Sequence, residues 1–151
     1  MQLDVALCLP KEGGSVALIR GVVRDALVTL GVSRECVEDV RLALSEACTN
    51  VLDHAVAGDE YEVRMRVDDE RCHVTVTNAG SGFDASALEG VMPDALSPRG
   101  RGVAMMRAVM DNVDFTSEPE TGTIVHLVKT LTFDPSGPLA RLRRARDTTV
   151  G

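Results

Sequence analysis

The chain has no tryptophan, one tyrosine and three phenylalanines among its 151 residues. Aromatic side chains are too few to build a platform on which successive nucleic-acid bases stack. Positive charge is short as well: 16 lysines and arginines face 23 aspartates and glutamates, a formal net charge of −7. Direct DNA binding depends on neutralising phosphates with such cations, so this balance argues against it. No apolar run approaches the ~18 residues needed to span a bilayer, and the first residues carry no secretory pattern. A cytoplasmic protein is the expectation. The four cysteines (Cys8, Cys36, Cys48 and Cys72) include no C-x-x-C pair of the kind metal or disulfide use favours. Each is read as a small buried apolar residue. The one basic run, "RLRRAR" at 141–146, reads as a solvated helix end or terminus.

What remains is the composition of one soluble domain, 44% hydrophobic and 26% charged, long enough to bury a full core. Leu3, Val5, Leu7 and Leu9 alternate and predict a strand over 3–9. Pro10 and Gly13-Gly14 break it, Ser15 is a candidate N-cap, and apolar residues at helical spacing run from 16 to Gly31. Ser33 can cap a second helix over about 34–57, ended by Gly58. Strict alternation predicts strands at 61–67 and 72–77, joined by a tight turn. A glycine- and proline-rich stretch (78–100), a helix at about 101–111 and strands at 113–117 and 123–131 complete the pattern. The order β-α-α-β-β-loop-α-β-β gives an α+β, two-layer sandwich: a mixed, mostly antiparallel sheet with helices on one face.

The second helix carries two faces. Val37, Val40, Leu44, Ala47, Cys48 and Val51 form an apolar stripe, and Asn50 lies about 160° round from Cys48. Glu46, Asn50 and His54, four apart, form the other face. Such a trio is routine on a solvated helix, so its significance depends on its company. "NAGSGF" (78–83) directly follows a strand, and "RGRGV" (99–103) opens a helix. Glycines there permit close backbone approach, and a helix N-terminus with Arg99 and Arg101 suits phosphate. Neither turn is a Walker loop or a dinucleotide fingerprint. A carboxylate, an amide oxygen able to hold Mg²⁺ and a glycine-arginine phosphate cradle make a phosphoryl-transfer set.

These residues resemble the ATP-binding fold shared by gyrase subunits, histidine kinases and mismatch-repair ATPases. "EACTNVLDHA" resembles its N-box, "NAGSGF" and "GRGV" its two glycine boxes, and "TGT" (121–123) its closing element. The small size looks most like anti-sigma factor serine/threonine kinases. The resemblance implies a homodimer using ATP and Mg²⁺, with an alternative sigma factor and an anti-anti-sigma protein as partners. By position it implies Glu46 as catalytic base, Asn50 as metal ligand, and His54 as the histidine closing the N-box. Asn78, Gly80, Gly82 and Thr123 fall on the adenine and ribose side; Arg99, Gly100, Arg101, Gly102 and Val103 fall at the phosphates. Residues 84–99 are expected to form a mobile lid. The domain is expected to span 1–131, with 132–151 as a tail.

One position departs from that pattern. The family's first glycine box begins with Asp, and this chain has Asn78. A neutral amide oxygen still accepts a hydrogen bond but without charge assistance, a loss of about 1 kcal/mol or more that reaches tenfold in affinity at about 1.4 kcal/mol. The competing reading is a non-enzymatic partner-binding module of the same fold.

Overall fold

The computed structural model describes residues 1–54, 60–78, 98–118, 122–138, 141 and 145; within these spans it leaves out the side chains of 53–54, 98–101, 117–118 and 122–123. Alternation of apolar and polar residues produces five strands: β1 (Leu3–Pro10), β2 (Glu60–Val67), β3 (Arg71–Asn78), β4 (Asn112–Glu118) and β5 (Gly122–Thr130). They form one sheet in the order β1-β2-β3-β5-β4. Every pairing is antiparallel, so no parallel pair of the expected mixed sheet occurs among the described residues. Tyr61, Val63, Met65 and Val67 of β2 share a buried face with Cys72, Val74 and Val76 of β3 and Val125 and Leu127 of β5. Each fully buried side chain of this kind contributes about 1.5–3 kcal/mol, which fixes the register against a one-residue slip. Asp68 shapes the β2–β3 turn by accepting from the Glu70 and Arg71 amides at 2.7 Å each.

Helices α1 (Gly13–Leu30), α2 (Arg34–His54) and α3 (Pro98–Val109) supply the second layer. All six residues of the expected α2 stripe are buried. Ser33 caps α2 as expected, its Oγ accepting from the Cys36 amide at 3.4 Å. Gly31 ends α1 in the left-handed region at φ 84°, with its N–H donating to Val28 O and that of Val32 to Leu27 O. This 5→2 and 6→1 pair is the glycine-dependent helix stop. Val32 then bridges Phe133, and Asp134 donates to Gly31 O, so the described part of the tail packs at the α1–α2 junction.

Three expectations change. Ser15 does not cap α1, which begins two residues earlier with Glu12 in the cap position and no side-chain bond there. The Ser15 hydroxyl is buried instead, donating to Glu12 O and paired with the Tyr61 hydroxyl. Helix α3 begins at Pro98 rather than near 101, because proline's fixed φ suits a first helical position. Cys8 is exposed, whereas Cys36, Cys48 and Cys72 are buried, and all four are free thiols. The leucines of β1 take the core face, which leaves Cys8 on the other. Burial pushes the Cys48 and Cys72 thiols up to about 12.

Candidate functional site

Lys129 of β5 sets where the two site-bearing helices meet. Its ammonium lies 2.9 Å from Asp39 Oδ2 of α2 and donates at 2.6 Å to Val109 O, the last residue of α3. Burial alone would lower the Lys129 pKa, but Asp39 and then Asp111 hold it above the ordinary lysine value. A cation at a helix C-terminus also complements the helix dipole. Helices α2 and α3 therefore lie side by side, pinned to the same strand.

Where they meet, Glu46 and Asn50 of α2 face Gly102 of α3. A Cβ at Gly102 would fall 2.7 Å from Glu46 Oε2 and 3.7 Å from Asn50 Oδ1. Only glycine leaves this carboxylate its position against the α3 backbone, while the amide at 3.7 Å is in ordinary contact. Asn50 is 6% exposed, and its Nδ2 is buried with no hydrogen-bond partner among the described residues. A buried donor left so costs about 1–3 kcal/mol, which points to a group that binds there. Val103, next on α3, is also buried. Of the expected wall, Glu46 and Asn50 thus lie at a helix-helix seam.

Asn78 ends β3 on the helix side of the sheet and is 1% exposed. Its Oδ1 accepts from Lys11 Nζ at 2.7 Å, a contact that reaches from beyond the end of β1. Thr123 of β5 stands opposite Asn78 in the β3–β5 register. His54 is the last residue of α2, and Arg99, Gly100 and Arg101 lie in the first turn of α3. Their side chains, and Gly80, Gly82 and the expected lid up to residue 97, lie outside the description. Two features had no counterpart in the sequence reading. Lys11 follows a proline at a strand end, with no spacing that ties it to Asn78. His73 and His126 stack on the helix-free face of the sheet, with Nδ1 and Nε2 3.3 Å apart. Only their diagonal strand register brings them together.

The donor set suits a hard cation: an amide oxygen beside a carboxylate, with no cluster of three His, Cys, Asp or Glu among the described residues. Magnesium characteristically takes one or two protein oxygens and completes its shell with phosphates and water. The histidine kinase-like ATPase domain matches residues 9–129. The chain belongs to that family.

Within it, relatives named serine-protein kinase RsbW align over about three quarters or more of their length. The protein of that name from Bacillus licheniformis is 32% identical over 133 residues, covering 81% of this chain and 82% of the relative. That from Halalkalibacterium halodurans is 27% identical over 139 residues, covering 86% and 85%. The chain is accordingly an ATP-dependent serine/threonine-protein kinase of the RsbW type. The structure of the RsbU and RsbW domains of a Mycobacterium tuberculosis protein superposes with a TM-score of 0.66 at 19% identity, over 85% of this chain and 32% of that one. The SiaB–SiaC complex of Pseudomonas aeruginosa contains a chain of the same fold, TM-score 0.60 at 14% identity, over 83% of this chain and 88% of that one. No helix among the described residues is long and apolar enough to cross a membrane.

Proposed function

We propose that this kinase is an anti-sigma factor: it binds an alternative sigma factor in the cytoplasm and phosphorylates a serine or threonine of an anti-anti-sigma partner. The observation that carries the phosphoryl-transfer site is the pair on α2, the Glu46 carboxylate against Gly102 and the buried Asn50 amide with an unsatisfied Nδ2. Glu46 orients the partner's hydroxyl and takes its proton as the hydroxyl oxygen bonds to the γ-phosphorus. The bond from that phosphorus to the bridging oxygen breaks, and ADP leaves. Asn50 would hold Mg²⁺ through its side-chain oxygen, and the bound ion would supply charge neutralisation at the phosphates. Gly100, Gly102 and Val103, with Arg99 and Arg101, take the phosphates at the α3 N-terminus. His54 completes the N-box at the end of α2. Asn78, Gly80, Gly82 and Thr123 hold the base and ribose.

A homodimer is part of the same reading. Strand β1 is an edge of the sheet, with Leu3, Val5 and Leu7 only half-buried. Pairing such an edge with a second copy removes an aggregation hazard. The deciding experiment is transfer of label from [γ-³²P]ATP to the anti-anti-sigma partner by wild type and Glu46→Ala. Label on the partner with wild type and none with the variant is expected. Stable partner binding without transfer by either protein would favour the non-enzymatic module instead.

A further inference from the structure

The α1–α2 junction and residues 133–138 of the tail line an open trough of about 910 Å³. Arg24 and Val28, one turn apart, stand on its α1 wall. Arg34, Glu38 and Arg41 stand on its α2 wall at i, i+4 and i+7, so they share one helix face. From Arg34 to Asn50 the helix rises ~24 Å, which sets the trough well away from the nucleotide site. On a chain of net charge −7, three arginines at one place are unusual. The two acids that line the trough are engaged locally. Glu38 accepts from Arg41 Nη1 at 3.1 Å, and Asp134 accepts from the Ser136 amide at 2.9 Å and hydroxyl at 2.8 Å. The arginines are less fully used. Arg34 is exposed and makes no hydrogen bond or ion pair among the described residues. Arg24 meets Asp25 at 3.8 Å across exposed side chains, a pairing worth little. Arg41 Nε is buried and has no partner among the described residues.

We propose that this trough binds an acidic peptide segment of a partner protein, its carboxylates on Arg34 and Arg41 and an apolar side chain against Val28. Small-molecule pockets are enclosed and mostly apolar. This trough is open, with Arg24, Val28, Arg34 and Glu38 all exposed, and a row of arginines suits carboxylates presented along a chain. Arg34 and Arg41 lie ~10 Å apart along α2, a span that about three extended residues cover at ~3.3 Å each. A guanidinium takes a carboxylate through two parallel N–H bonds. Turning Arg41 outward onto a carboxylate pairs its Nε, which the fold leaves without an acceptor. Val28, 53% exposed on the facing wall, supplies the apolar contact. The site owes nothing to the phosphoryl-transfer reading, so its binding is independent of nucleotide.

The test is titration of the ¹⁵N-labelled full chain with the hexapeptide Glu-Leu-Glu-Glu-Leu-Glu, read by amide NMR spectra, beside the same peptide with glutamine for each glutamate. Saturable shifts are expected within residues 24–41 and 133–138. The acidic peptide should bind roughly fivefold or more tightly than the glutamine one, less so as salt rises, and unchanged by Mg-ADP. Arg34→Gln with Arg41→Gln should remove that preference while label transfer from ATP stays at the wild-type rate. Arg34→Gln alone breaks no bond in the structure, so it keeps the test readable if the double variant melts early; it should weaken the acidic peptide too. No shifts, equal shifts with the glutamine peptide, or shifts that the arginine variants leave intact overturn the proposal. Inorganic phosphate giving the same shifts at equal ionic strength would make this a general anion site. Shifts of these residues on dilution without peptide would assign the trough to a second copy of the chain. Either result overturns the peptide assignment and leaves the kinase reading untouched.

Discussion

Gly102→Ala separates the fold from the chemistry. The new methyl would sit 2.7 Å from Glu46 Oε2, about 0.7 Å inside ordinary van der Waals contact, while Asn50 Oδ1 at 3.7 Å is left undisturbed. The nearest atom is the tip of a flexible side chain, so the clash resolves by moving the carboxylate rather than either helix. The cost to stability is then a fraction of a rotamer energy, about 0.5–1.5 kcal/mol. Replacing glycine by alanine inside a helix returns about 0.8–1.0 kcal/mol. The two nearly cancel, and the melting temperature should stay within ~3 °C of wild type. Catalysis has no such compensation: a carboxylate displaced by most of an ångström loses its alignment with the attacking hydroxyl, a loss of about 100-fold in rate. Single-turnover phosphoryl transfer and a thermal melt on the same preparation read both quantities. Transfer within threefold of wild type would refute the placement of Glu46, and a large fall in melting temperature would refute the claim that the tip of Glu46 yields.

Asn50→Ala should leave the ligand-free protein nearly as stable as wild type, because the Nδ2 it removes has no partner among the described residues. It should abolish the stabilisation of about 2.7 kcal/mol that Mg-ADP at 100 times its Kd gives wild type, read by thermal shift. Lys129→Met removes bonds to Asp39 and Val109 O and should lower stability by about 1–3 kcal/mol in denaturant melts, with transfer falling further as α2 and α3 lose register. Burial and then His126 lower the His73 pKa in the folded chain. Its contribution is full above pH ~6.5 and is lost as pH falls through the folded value, so stability should drop on acidification, and His73→Gln should flatten that drop. Light scattering of the 16.1 kDa chain should give a dimer mass at micromolar concentration; a monomer mass that ADP does not change would remove support for β1 pairing.

Much of the fold was legible because its signals are local. Alternation along "YEVRMRV" and "CHVTVT" depends on one buried sheet face, and the structure buries Tyr61 through Val67 and Cys72 through Val76 in that alternation. The misread ends have tertiary causes. Ser15 has the residue type of a cap, yet a tyrosine 46 positions away takes its hydroxyl. Cys8 has the composition of a core residue, but its parity along β1 places it opposite the leucines. Strand order was not legible in detail: that β5 inserts between β3 and β4 follows from long-range pairing and leaves no periodic trace.

The site divides in the same way. Spacing of four along α2 put Glu46 and Asn50 on one face, because helix geometry acts over a single turn. That this face meets α3 and not water depends on Lys129 joining Asp39 to Val109, and no sequence period encodes a triangle among three elements. Lys11 is the sharper case, since its partner Asn78 lies 67 residues away across two strand pairings. Read alone, Asn78 is an uncharged acceptor where the resemblance leads one to expect an acid. Beside a lysine whose ammonium donates to its oxygen, it becomes an amide oriented by a contact that no local pattern announces.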